Sequence, residues 1–288
     1  MNLKRIHILG DEWLYYKVYC GVRTSDLLLV EAIKPLAEAL LKQDLIDSWF
    51  FIRYEDPQYH LRIRFHLSKG DNQHIGAVIN AVNITLKPYL DQYSVSKIQT
   101  DTYIRELERY GSHNIITSEN LFFYNSKLIL KAIEIFKEDE LYFLFTLKVI
   151  DSLMDDFDLD LAQKINFVKL NMLAFKKEFG ADKKLNKQMD KKYSNLEHKI
   201  YRALEQKDTE FLVFDKILAL PEYCVGHLIQ EIIATKSSGE LETSIDHLLG
   251  SYIHMHVNRA FRSQQRFYEL VCYDFLFKHY KAKSFRKS

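Results

Sequence analysis

The sequence predicts an α+β fold: an N-terminal mixed or antiparallel sheet with packed helices, followed by a mainly helical C-terminal half. Two observations carry this. Up to residue 117, strand-like and helix-like stretches alternate, and residues 49–65, WFFIRYEDPQYHLRIRF, read as two strands joined by a turn at Asp56 and Pro57. From residue 118 onward the apolar residues recur at the 3.6-residue period of a helix, with few chain breakers. No clear linker separates the α+β portion, 1–117, from the helical portion, 118–288, so a single integrated domain over 1–288 is expected.

Taken in order, residues 13–19, WLYYKVY, have the aromatic and β-branched content of a strand. Thr24 or Ser25 can then cap a helix in which Leu28, Ile33, Leu36 and Leu40 share a face, with Pro35 expected to kink or split it. The hairpin follows, then a loop at 68–72. A second helix is expected over 76–90 with a break near Pro88, and an extended segment after it leads into RELERYG. The helical portion contains strong patterns at 125–136, 140–157 and 160–179. Residues 183–205 are highly charged, and Leu185, Met189, Leu196 and Ile200 leave only a thin apolar stripe. That segment is expected to project into solvent or to form a solvated connection. A helix should end before Pro221, another should start near 224, and 235–240 should be a loop. Two long helices, or one interrupted helix, close the chain.

The 40 Lys and Arg against 39 Asp and Glu leave a net charge of +1, which gives no sign of a nucleic-acid binder. The 18 Tyr and 19 Phe either fill a large core or line a groove for a peptide. Cys20, Cys224 and Cys272 are far apart and form no CxxC pair, so neither a zinc site nor a disulfide framework follows, and a reducing compartment fits. No apolar run has the length of a signal-peptide core at the N-terminus or of a membrane span elsewhere. A cytoplasmic protein without membrane contact is expected.

Glycine-rich nucleotide loops, HExxH and GxSxG are absent. The acidic run 151–160 lacks calcium-loop spacing and reads as a solvated helix end or turn. Three charged motifs remain. In the second hairpin strand, alternation puts His60, Arg62 and Arg64 on one face and Leu61, Ile63 and Phe65 on the other. That cationic face is either wet surface or an anion site; Arg53, in the first strand, is not assigned to it. If 105–110 is helical, Arg105 and Arg109 share a face, flanked by Glu106 and Glu108. This is either a surface helix of alternating charge or a guanidinium pair oriented by carboxylates. In SYIHMHVNRAF, His254 and Asn258 share a helix face and His256 points elsewhere. A histidine there is either a satisfied core group or a proton carrier.

Together, and with the opening WLYYKVYCGVRTSDLLLVEAIKPLAEAL, these motifs resemble the C-terminal elimination domain of class I lanthipeptide dehydratases. That domain also occurs as a free-standing protein in thiopeptide-type pathways. The resemblance covers essentially the whole chain. It implies expulsion of glutamate from glutamylated Ser or Thr of a ribosomally made precursor peptide, leaving dehydroalanine or dehydrobutyrine. By the same resemblance Arg62, Arg64, Glu106, Arg109 and His254 are the site residues, and no cofactor or metal is required. The implied partners are the glutamylated peptide and a separate tRNA-dependent glutamyl-transfer protein. No direct nucleic-acid contact is expected; a homodimer is compatible with the sequence, though no residue requires one. Ser112 stands where the family commonly has a second glycine, and the charged stretch 183–205 offers a docking segment peculiar to this chain. The same family leaves one alternative, a pyridine-forming cycloaddition enzyme; a non-enzymatic alternative is a non-catalytic precursor-peptide-binding subunit.

Overall fold

The computed structural model describes residues 3–68, 74–205 and 209–286, so the loop expected at 68–72 lies almost wholly outside the described residues. Strand β1 (Ile6–His7) pairs antiparallel with β6 (Tyr103–Ile104) in a short ribbon. The main sheet is antiparallel, in the order β3-β4-β2-β5: β2 is Trp13–Cys20, β3 Ile46–Glu55, β4 Tyr59–Leu67 and β5 Val95–Asp101. The Trp49-to-Phe65 hairpin is therefore β3 and β4, turning at Asp56 and Pro57.

The first helical run is wound in three pieces: α1 (Thr24–Leu28), a π-helical segment (Leu29–Ile33) and α2 (Lys34–Lys42). Pro35 falls in the first turn of α2, where its missing N–H costs least. Helix α3 runs Ile75–Asp91 straight through Pro88, correcting the expected break. The carbonyl deprived of its donor belongs to Ile84, which is 64% exposed, so water can satisfy it. These helices cover the face of the sheet that carries Leu61, Ile63 and Phe65, all at most 1% exposed.

After the single-turn helix α4 (Leu107–Tyr110), the chain is helical: α5 (Ile115–Ile135), α6 (Asp139–Asp156), α7 (Leu161–Glu178), α8 (Lys183–Glu205), α9 (Leu212–Leu218), α10 (Gly226–Ser237), α11 (Ile245–Ala260) and α12 (Gln265–Arg286). Asp160 caps α7 in a reciprocal capping box with Gln163. α10 runs on to Ser237, so the loop expected from 235 starts later. The terminal segment is two helices, broken where Gln264 adopts a left-handed φ of 54°.

The charged helix α8 neither projects into solvent nor forms a solvated connection. Its stripe is wider than Leu185, Met189, Leu196 and Ile200 suggest, because Tyr193, Ala203 and Leu204 join it and bury against α6 and α12. Only its opposite face is charged and wet.

The two portions are tied at the open edge of β3. The N–H of Phe51 donates to Ser126 Oγ on α5 at 3.3 Å, and Arg259 Nε on α11 donates to the Phe51 carbonyl at 2.7 Å. Two residues along β3, the Asn258 amide accepts from Arg53 N–H at 3.0 Å and donates to the Arg53 carbonyl at 2.9 Å. Side chains thus complete a hydrogen-bond ladder that a bare edge strand would leave open. A continuous apolar core runs from Trp13 on β2 to Tyr280 on α12.

Candidate functional site

The register of the sheet builds the cationic face. Arg64 lies opposite Tyr15 on β2 and Phe50 on β3; Arg62 lies opposite Lys17 and Ile52; His60 lies opposite Tyr19 and Tyr54. Arg64 is 7% exposed and sits in an aromatic box, its Cζ 4.3 Å from the Tyr15 ring centre, 4.9 Å from Tyr103 and 5.2 Å from Phe50. Its buried Nε has no hydrogen-bond partner. Burial lowers its affinity for its own proton, and the charge of Arg62 adds to that, while Glu106 opposes it.

Arg62 is half-buried and lies flat on Tyr54, with Cζ 3.3 Å from the ring centre. Its Nε donates to His60 Nε2 at 3.2 Å. Nε2 therefore accepts, and Nδ1–H of His60 donates to the Gln58 carbonyl at 2.8 Å. His60 is a neutral bracket for Arg62. Burial pushes its pKa down, and the neighbouring cations Arg62, Lys17 and Lys97 push the same way.

The RELERYG segment corrects one expectation. Arg105 and Arg109 do not share a helix face, because the helix begins only at Leu107. Arg105 is held in extended form by its N–H donating to the Arg5 carbonyl at 2.9 Å. Its guanidinium grips both oxygens of the buried Glu119 at 2.8 Å each. Arg109 and Glu106 remain at the surface, 40% and 62% exposed, with Arg109 Nε 3.3 Å from Glu106 Oε2. Since Arg64 feels the charges of both Arg62 and Glu106, the hairpin and the RELERYG residues form one electrostatic neighbourhood. Arg53 is on the opposite face of the sheet, fully desolvated and 2.6 Å from Asp26 on α1.

His254 stands apart. Its Nδ1 is 2.9 Å from Oε2 of Glu269 on α12, and the Arg266 guanidinium is 3.7 Å from the same carboxylate oxygen. Among the described residues no hydrogen bond or ion pair joins His254 to Arg62, Arg64, Glu106 or Arg109. Its helix packs on neighbouring elements on either side of it. Tyr252, two residues earlier, stacks on Tyr110 at 5.7 Å, and Asn258, four residues later, grips Arg53 of β3.

His256 is a core group. The Asn125 amide accepts from Arg259 Nη1 at 3.2 Å and donates to His256 Nδ1 at 2.9 Å, which fixes the amide's orientation. Burial, then the charge of Arg259, pushes His256 down to about 3, so it stays neutral. Among the described residues no cluster of three or more His, Cys, Asp or Glu could hold a metal ion, and no single helix is long and apolar enough to cross a membrane.

Sequence reasoning missed Glu269, Glu119 and the aromatic box around Arg64. Glu269 lies one helix beyond the HMHVNR motif, so only the packing of α11 on α12 reveals it. Tyr15 and Phe50 were reachable by pairing the strands, once the order of the sheet is known.

The antiparallel sheet thus presents a guanidinium-bearing face, and α11, along the edge of β3, carries His254. Residues 13–280 match the family described as lantibiotic biosynthesis dehydratase C-term, and the chain belongs to it. It is 24% identical over 271 residues to the subtilin biosynthesis protein SpaB of Bacillus subtilis, covering 89% of this chain and 24% of that protein. It is 23% identical to the nisin biosynthesis protein NisB of Lactococcus lactis subsp. lactis, covering 91% and 25%. The chain thus spans about a quarter of the length of these relatives. Its fold is that of the tRNA dependent lantibiotic dehydratase MibB from Microbispora sp. 107891, with a TM-score of 0.72 at 19% identity over 98% of this chain and 29% of that one. The pyridine synthase TbtD from thiomuracin biosynthesis shares it too, with a TM-score of 0.64 at 13% identity over 94% and 100% of the two chains.

Proposed function

We propose that this chain eliminates glutamate from glutamylated Ser or Thr residues of a ribosomally made precursor peptide, leaving dehydroalanine or dehydrobutyrine. The observation that carries the reading is Arg64: a guanidinium held in an aromatic box with no carboxylate partner, beside Arg62 and the Arg109–Glu106 pair. Such a group is poised to hold a carboxylate supplied by substrate.

The step removes the Cα proton, forms the Cα–Cβ double bond and breaks the Cβ–O bond, so glutamate leaves as the carboxylate. Arg62, Arg64 and Arg109 hold the glutamyl group and the negative charge that develops on the leaving oxygen. His254 takes the proton. Glu269 accepts from Nδ1–H and so keeps the Nε2 lone pair free as the basic site. Glu106 orients Arg109. A glutamyl-transfer activity has to supply the ester; the relation to a tRNA dependent dehydratase supports a tRNA-dependent donor system.

The test is to incubate the purified chain with a peptide bearing glutamyl-Ser. Release of one glutamate with formation of dehydroalanine is expected; intact ester across a panel of lanthipeptide-type precursors overturns the reading. The second reading, pyridine formation from two dehydroalanines, is favoured by the full-length match to TbtD. Ring formation from a bis-dehydroalanine peptide, with no action on the glutamyl ester, would establish it.

A further inference from the structure

Among the described residues four arginines are buried, and they divide into two kinds. Arg53 and Arg105 each meet a carboxylate, Asp26 at 2.6 Å and Glu119 at 2.8 Å. Arg64 and Arg259 meet none among the described residues. Arg259 is 0% exposed, and its partners are all neutral: the Phe51 carbonyl at 2.7 Å, and the Asn125 side chain and Met255 carbonyl at 3.2 Å each. Its Nη2 is buried with no partner at all.

These two unpaired guanidiniums are neighbours. Arg64 lies over Phe50 at 5.2 Å and Arg259 over Phe122 at 5.0 Å, while the two rings meet edge to face at 5.3 Å. The charge of Arg64 bears on Arg259, and burial with that repulsion pushes Arg259 down to about 9 although Tyr110 opposes the shift. Tyr110 packs on the same Phe122 at 5.2 Å. Its hydroxyl is buried, and the one side chain placed to bond it, Arg109, can only donate, so the Tyr110 O–H itself has no acceptor; the charges of Arg109 and Arg259 both bear on it. Three buried donors, Arg64 Nε, Arg259 Nη2 and Tyr110 Oη, are therefore unsatisfied around one pair of touching rings.

Two like charges in an apolar interior, each with a spare donor, are costly unless an anion sits with them. We infer that Arg259 and Tyr110, together with Arg64, form the inner wall of a carboxylate-binding site that takes the glutamyl group. Arg259 and Tyr110 are then substrate-binding residues in addition to Arg62, Arg64 and Arg109. The inference rests on the elimination reading for the identity of the carboxylate, but the binding site can be tested without the reaction. A purely structural Arg259, pinning α11 to β3 through the Phe51 carbonyl, would need neither a free Nη2 nor the Tyr110 hydroxyl.

The experiment measures thermal stabilisation of the full chain by L-glutamate and glutarate, with glutaramide and sulfate at matched ionic strength as controls. Wild type should show saturable stabilisation by the two carboxylates and none by glutaramide. Tyr110→Phe, which keeps the ring packing, should weaken the apparent affinity roughly tenfold, as should Arg259→Lys. No saturable stabilisation of wild type overturns the inference, and so does an unchanged affinity in a folded Tyr110→Phe protein. Sulfate binding as tightly as glutarate overturns the carboxylate assignment. Carboxylate binding that depends on Tyr110, without turnover of the glutamyl peptide, would sink the elimination reading and leave the site standing.

Discussion

Nδ1 of His254 lies 2.9 Å from Oε2 of Glu269, a carboxylate that is 4% exposed. A buried carboxylate behind an imidazole fixes the tautomer and the ring plane, leaving Nε2 as the free position. If His254 takes the Cα proton, Glu269 acts only through it. Glu269→Gln should then lower kcat by roughly ten- to a hundredfold with KM little changed, and His254→Ala by about 10² to 10⁴. Single-turnover assays on a glutamyl-Ser peptide check this. An equal kcat loss in Glu269→Gln and Glu269→Asp with an unfolded near-ultraviolet signature would show a structural role instead.

Arg105 and Arg109 are separated by structure although four residues apart in sequence. Removing Arg105 strands the Glu119 carboxylate, which is 4% exposed. Arg105→Ala should therefore cost about 3–5 kcal/mol of stability, a typical value for breaking a buried pair. Arg109→Ala, at a 40% exposed site, should shift stability by less than about 0.5 kcal/mol while blocking turnover. Urea unfolding of both variants, paired with detection of accumulating glutamylated peptide by mass spectrometry, separates the two roles.

The hairpin was legible because period-two alternation and the Asp56-Pro57 turn are local properties, and the grouping of Arg62 with Arg64 follows from them. The helical portion was legible for the same reason, through its 3.6 period. What failed was set by distant partners. Arg105 reads as helical beside Glu106 and Leu107, but Glu119 and the Arg5 carbonyl hold it extended. The α8 stripe reads as thin until α6 and α12 bury Tyr193 and Leu204. Neither His254 with Glu269 nor Arg64 with Phe50 and Tyr103 is adjacent in the chain, so no local pattern could pair them.

Glu205, at the C-terminal end of α8, is tied to His279 at 3.0 Å and Lys283 at 2.6 Å on α12. The hydrogen bond from His279 leads the interactions that hold its pKa at about 2, below the ordinary 4.5. A depressed carboxylate stabilises the fold fully above its unfolded pKa and loses that contribution as pH falls through the folded one. Stability should therefore decline between about pH 4.5 and 2 through this group. Glu205→Gln should flatten that part of the profile and cost about 1–2 kcal/mol at neutral pH, after allowance for solvent screening at the edge of the helix pair. Thermal unfolding across the pH range, wild type against variant, measures both.

Arg64 should cost the free protein stability. It is buried among Tyr15, Phe50 and Tyr103 with an unpaired Nε and no carboxylate beside it. Met at this position would fill much the same aromatic box without the desolvation penalty. Arg64→Met is expected to raise stability by about 1–3 kcal/mol in the absence of ligand, and to lower elimination by at least about a hundredfold. Glutarate should no longer stabilise the variant, since the charge that meets it is gone. Guanidinium unfolding with and without glutarate, beside the glutamate-release assay, tests all three expectations. A variant that is destabilised instead would mean that Arg64 meets an anion of the protein itself in the free state, and the aromatic box would then be a structural feature rather than a binding one.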